Sequence, residues 1–173
     1  MRLGKFLGVL LLLLLLAACG EAEVSKVGDN DSASKEEKEA PKEQRLAIGD
    51  TVNFDGLNIT LNEVRIEPGG EFDQPENAKF LVVNLTAENK TEEEQVVSSV
   101  MNIELRDTEG YSYNTTILME GTKGQFDGTL QPGGNLRGEI PFDVPDSDQY
   151  ELHFSNPFKS GTAIWVIPAD QLK

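Results

Sequence analysis

The sequence is poor in the residues that build reactive centres or covalent cross-links. It holds one cysteine, Cys19, and one histidine, His153. A lone cysteine cannot close an intramolecular disulfide, so a fold stable outside the cytoplasm must rest on packing. One imidazole without a free thiolate cannot supply the three or four ligands of a zinc centre. It also leaves no complete Ser-His-Asp or Cys-His system unless His153 serves, and no paired serine is apparent beside it. Cationic side chains are scarce, 15 Lys and Arg against 30 Asp and Glu, for a net charge of −15. The imbalance lies mainly in residues 46–173, which carry twenty-two acids and eight bases. Phosphate backbones and anionic headgroups repel such a body, which argues against nucleic acid as a partner and reads as a solubility device.

What is present begins at the N terminus. Arg2 and Lys5 precede an apolar run from Phe6 to Ala18 that ends in Leu16-Ala17-Ala18-Cys19. The run is shorter than the roughly 20 residues needed to cross a bilayer, so it reads as the h-region of an export signal. A leucine, two small residues and a cysteine match the bacterial lipobox. Residues 1–18 are therefore expected to be removed as a lipoprotein signal peptide. Cys19 is expected to carry the lipid that anchors the chain at the extracytoplasmic face of the cell membrane. Residues 19–45 read as this lipidated cysteine and a disordered tether. After Cys19 the stretch has two valines and no aromatic residue, too little apolar surface to offset ordering. Such a spacer would reach about 25–30 Å.

From Leu46 the pattern changes to period two. Leu57, Ile59 and Leu61 alternate with polar residues, as do Met101, Ile103 and Leu105. Leu81, Val83, Leu85 and Ala87 form one face of a strand whose other face carries Phe80 and Val82, which predicts a central position. Further runs lie at 136–144, 150–154 and 163–167. Asp55-Gly56 predicts a tight hairpin, and Pro68-Gly69-Gly70, Asp107 to Gly110, Asp127-Gly128 and Pro132-Gly133-Gly134 punctuate the rest. No sustained helical period appears. The expectation for residues 46–173 is one all-β, Ig-like antiparallel sandwich of about seven to nine strands. Pro141, inside a strand pattern, belongs at an edge or bulge.

Several phrases in order resemble a known family. They are Ile48-Gly49-Asp50, Lys79 to Asn84 running on to Glu88-Asn89, Leu105-Arg106-Asp107 to Gly110, Leu130-Gln131-Pro132-Gly133, and Gly138 to Pro145. Together they resemble the Ig-like, telokin-like domain of unknown function found in lipoproteins of Gram-positive bacteria. That family is similar in fold to a mycobacterial secreted immunoprotective antigen. The resemblance spans nearly all of residues 46–168 and implies a sandwich, but it brings no catalytic residues. The cysteine pair of antibody domains is missing, and Trp165 falls in the last strand instead of the third.

The remaining candidates are few. His153 alternates with Leu152 and Phe154, which predicts an exposed ring beside Glu151 and Ser155. Two carboxylate groups, Asp143, Asp146 and Asp148 near Pro145 and Glu67, Glu71, Asp73 and Glu76 in another loop, could hold Ca²⁺ through oxygen ligands, but they lack EF-hand spacing and read more simply as turn and surface residues. No metal, cofactor or catalytic residue is assigned. The connection around residues 115–130 is long and carries Ile117, Leu118, Met119 and Phe126 among glycines. These side chains are expected either to cap an open end of the sandwich or to form a loop for an envelope protein partner. The sequence thus reads as a membrane-anchored, non-catalytic binding or structural module. A proteinase inhibitor presenting residues 115–130 is the main rival, and an envelope enzyme the other.

Overall fold

The computed structural model describes residues 20–28 and 44–173. In chain order its strands are β1 (Gly20–Glu21), β2 (Val24–Lys26), β3 (Gln44–Leu46), β4 (Thr51–Phe54), β5 (Leu57–Glu67), β6 (Lys79–Asn89) and β7 (Gln95–Val97). After a helical turn, α1 (Ser99–Asn102), come β8 (Ile103–Asp107), β9 (Ser112–Tyr113), β10 (Gly128–Leu130), β11 (Asn135–Val144), β12 (Gln149–Ser155), β13 (Lys159–Ser160) and β14 (Thr162–Pro168). Two five-stranded sheets pack as an Ig-like sandwich, ordered β11-β6-β5-β4-β2 and β3-β14-β12-β8-β9. All neighbours in them are antiparallel except β3, which runs parallel to β14.

The period-two pattern produces this arrangement directly. Leu57, Ile59 and Leu61 of β5, with Leu81, Val83, Leu85 and Ala87 of β6, meet Leu105, Tyr150, Leu152, Phe154, Trp165 and Ile167 from the other sheet in one core. Phe54 and Phe154 contact across it edge to face, with ring centroids 5.2 Å apart. Trp165 is fully buried, and its indole N–H donates to the Asp50 carbonyl at 3.1 Å. The pairing of β5 with β6 shifts register between Leu61 and Glu63, and this bulge returns Val64 to the core. Asp55 and Gly56 adopt positive φ values of 53° and 82°, as a two-residue hairpin with right-handed strand twist requires. Pro141 sits on β11, the edge of its sheet, where a missing N–H breaks no ladder. Met101 departs from its expected strand. It lies in α1 and is 55% exposed, because β8 begins only at Ile103.

Residues 20–28 and 44–45 also depart from the sequence expectation of a disordered tether, the latter pair lying in β3. β1 pairs in parallel with β13, Gly20 opposite Lys159, and β2 lies antiparallel on β4. The Asp55 N–H donates to the Glu23 carbonyl at 2.7 Å, the Val27 N–H to the Thr51 carbonyl at 2.8 Å, and Ala22 is buried. The cause is the open edge of β4, whose backbone groups gain partners from any short strand that can reach them. Ala22 and Val24 supply the period-two apolar side chains, too few for a composition argument to register. The rest of the expected tether, 29–43, lies outside the described residues, as do the signal segment and Cys19. Among the described residues no helix is long and apolar enough to cross a membrane.

Candidate functional site

The connection from Asn114 to Asp127 is laid over the outer face of the first sheet, along its β11 edge. Thr115 bridges Phe142, and the Thr116 N–H donates to the Pro141 carbonyl at 2.9 Å. This strap continues with Leu118 turned inward, 8% exposed, against Phe80 and Val82 of β6. On either side of it Ile117 and Met119 are 82% and 74% exposed. The Met119 N–H donates to the Asp73 carboxylate at 2.6 Å. The Gly121 carbonyl then accepts from Arg65, and the Lys123 N–H donates to the Glu139 carboxylate at 2.8 Å. Phe126 enters the main core and is fully buried. Asp127 closes the strap by accepting from the Ser99 N–H at 2.9 Å. Gly138 on β11 makes the close approach feasible, since a Cβ there would lie 2.3 Å from the Gln125 backbone.

The structure therefore divides the four side chains that the sequence grouped. Leu118 and Phe126 hold the strap down, whereas Ile117 and Met119 point away from it. Leu118 covers the outer face of a central strand, which explains why Phe80 and Val82 are apolar on the side away from the main core.

The latch of the strap is Glu139, a carboxylate only 9% exposed. It accepts from the Asn84 amide at 2.9 Å, from Arg65 at 3.0 Å and from the Lys123 N–H. Asn84 in turn accepts from Arg137 at 2.8 Å. Burial by itself pushes the Glu139 carboxyl up, but the Asn84, Arg65 and Lys123 donors outweigh it and hold it below the ordinary carboxylate value. A depressed folded-state pKa stabilises the fold above the unfolded value of about 4.3, and that contribution is lost as pH falls through the folded value. Glu139→Gln is expected to lower stability by about 1–3 kcal/mol at pH 7, with the deficit shrinking below about pH 4. Urea midpoints of both proteins at the two pH values measure this. A deficit independent of pH would show that the charge of Glu139 is not what latches the strap. Sequence reading missed Glu139 and Arg65 and took Asp73 only as a surface carboxylate. The available signal was a charged residue inside the apolar run Gly138 to Val144.

The other candidates resolve into structural roles. His153 is not exposed as expected. It is 9% exposed on the outer face of β12, and its Nε2 lies 3.2 Å from Glu151. Burial, reinforced by Arg106, pushes its pKa down despite Glu151 and Glu104. The sequence pattern gave its face correctly but could not show that Ile164 and Glu104 lie opposite it on the adjoining strands. Asp143 accepts from the Glu76 and Asn77 N–H groups at 2.7 and 3.0 Å, and Asp146 pairs with Lys79 at 2.9 Å. A cleft of about 660 Å³ between residues 107–113 and 145–148 is lined largely by polar groups. There Asp107 accepts from the Tyr113 hydroxyl at 2.6 Å, and burial together with that bond pushes the phenol up to about 12. Among the described residues no three His, Cys, Asp or Glu side chains converge as a metal site would require.

These features define an Ig-like β-sandwich with one strapped edge. The chain belongs to the family described as a domain of unknown function, DUF4352, which it matches over residues 46–164. Solved structures show the same fold. A candidate lipoprotein of Bacillus subtilis, ycdA, superposes with a TM-score of 0.56 at 16% identity over 78% of this chain. This chain spans 40% of the length of ycdA. The yjhA protein of Bacillus subtilis gives 0.54 at 19% identity, covering 75% of this chain and 99% of its own. MPT63, a secreted protein of Mycobacterium tuberculosis, gives 0.52 at 14% identity, covering 73% and 98%. No curated protein matches the chain.

Proposed function

We propose that the protein is a lipid-anchored, extracytoplasmic binding module with no catalysis of its own, and that the strap is its contact surface. The observation that carries the binding part is the division within the strap. Ile117 and Met119 are displayed to solvent by a backbone held from beneath by Leu118, Asp73 and Glu139. A rigid apolar display loses little conformational freedom when a partner covers it. Anchoring rests on Leu16-Ala17-Ala18-Cys19 behind a cationic start and an apolar run. The fold is shared with a candidate lipoprotein and a secreted protein, which fits that address.

The test joins two variants. Ile117→Ser with Met119→Ser should leave the urea midpoint nearly unchanged, because both side chains are exposed, yet abolish recovery of a cross-linked partner from the cell's own envelope. Undiminished recovery would remove the strap as a contact surface. Cys19→Ser should leave the chain uncleaved or released, since stable attachment needs at least two acyl chains. A correctly processed Cys19→Ser chain that still fractionates with membranes is incompatible with the anchor. The same held backbone favours a second reading, a proteinase inhibitor, because a pinned loop resists cleavage. Inhibition of an envelope protease by the parent, lost in the double variant, would select it.

A further inference from the structure

The docking of β1 changes what a lipid on Cys19 would do. Gly20 is paired with Lys159 and the Ala22 N–H donates to the Ser160 carbonyl at 3.0 Å, so the chain is tied to the domain one residue after Cys19. Consecutive Cα atoms are about 3.8 Å apart. Acyl chains on Cys19 would therefore leave from the surface of the sandwich itself, without a spacer. Residues 29–43 join β2 to β3 and cannot separate the domain from its anchor.

The surface around that exit point is apolar at its tips. The turn from Asn156 to Lys159 is closed by the Lys159 N–H on the Asn156 carbonyl at 3.0 Å and by the Phe158 N–H on the Asn156 side chain at 2.9 Å. It presents Phe158 with 78% of its surface exposed. Beside it α1 is fixed to the end of β12 by the Asn102 amide donating to the Ser155 carbonyl at 2.9 Å, and displays Val100 and Met101, 77% and 55% exposed. Both features lie at the same end of the second sheet, because Phe154 pairs with Ile103 and Ser155 with Thr162. Nearby Asp55 is neutralised by its ion pair with Lys159, while Glu92, Glu93 and Glu94 remain exposed. This balance fits insertion of apolar tips into an uncharged interface and disfavours anionic lipid.

We propose that this end of the sandwich seats directly on the lipid bilayer, with Phe158 in the interface and Val100 and Met101 beside it. The proposal rests on lipidation of Cys19. The strap residues Ile117 and Met119 lie along the β11 edge, where Thr115 bridges Phe142 and Leu118 packs on Phe80, and Ile117 shares a cleft with Val100.

The experiment uses full-length chain processed in a lipidating host. Mass of the N-terminal peptide first establishes the state of Cys19. Once its sulfur is acylated, Phe158→Cys or Thr108→Cys provides a unique thiol, one at each end of the sandwich. Each is labelled with a fluorophore and placed in phosphatidylcholine vesicles containing nitroxide-labelled lipid. Quenching at position 158 is expected to exceed that at 108 by about twofold or more, since interfacial groups lie about 5–10 Å into the headgroup boundary. A Gly/Ser linker of about 20 residues placed between Cys19 and Gly20, with a reach of about 25 Å, should remove the difference. Equal quenching in an acylated chain without the linker overturns the seating and leaves the anchor intact. A difference that survives the linker shows that the β1 attachment does not set the orientation. An unacylated Cys19 overturns the anchor and the seating together.

Discussion

Phe126→Ala is expected to cost about 3–5 kcal/mol of stability, the range for removing a large aromatic side chain from a packed core. Phe126 has no exposed surface, and it is the point at which the strap enters the main hydrophobic cluster. Loss of its ring removes both the transfer term and the packing of its neighbours, since the Gln125 backbone already lies against Gly138 and cannot collapse much further. The neighbouring positions set the scale. Leu118→Ala acts on the small cluster with Phe80 and Val82 and should cost about 2 kcal/mol. Ile117→Ala should stay within about 0.5 kcal/mol. Urea midpoints of the three variants test this order. If Ile117→Ala proved as damaging as Phe126→Ala, the outward display of Ile117 could not be correct.

Asn89→Ala should cost about 3 kcal/mol or more, although it removes only a small polar side chain. Asn89 is completely buried at the end of β6. Its amide donates to the Glu93 carbonyl at 2.7 Å and to the Leu130 carbonyl at 3.0 Å. Its carbonyl accepts from the Thr91 N–H at 2.9 Å and the Thr91 hydroxyl at 2.7 Å. Truncation takes a donor from the buried Leu130 carbonyl and the acceptor from both Thr91 groups, and a buried polar group left unpaired costs about 1–3 kcal/mol. Asn89→Asp keeps the acceptors, loses both donors and buries a charge, so it should be no better than alanine. Denaturant titration of the two variants provides the check. A rescue of stability by aspartate would show that the donor bonds to Glu93 and Leu130 contribute little.

The sandwich was legible in the sequence because one physical variable, alternation of apolar and polar side chains, determines which face of each strand is buried. Leu57 to Leu61 obey it without exception, and Tyr150, Leu152 and Phe154 take the core face as it requires. The Asp55-Gly56 hairpin and the edge position of Pro141 followed from single-residue backbone preferences. The docking of residues 20–28 was not legible, since backbone ladder bonds to β4 and β13 leave almost no trace in side-chain composition. Burial of His153 was missed for a related reason. Its neighbours on the adjoining strands are Ile164 and Glu104, brought opposite it by register and not by pattern. At the strap, sequence marked the right segment but could not separate Leu118 from Ile117 and Met119. Consecutive residues in an irregular connection have no period from which to infer direction.

The parallel pairing of β3 with β14 also fixes when the domain can close. Arg45 lies opposite Ile164 and Leu46 opposite Trp165, so among the described residues one of the first strands of the sandwich has its only sheet neighbour in the last. The indole N–H bond to Asp50 spans 115 residues of chain. Contacts so distant in sequence slow folding, typically into the millisecond-to-second range for β-sandwiches, because loop closure precedes any reward. A nascent chain would leave β3 outside the sheet until residues 163–165 had been made.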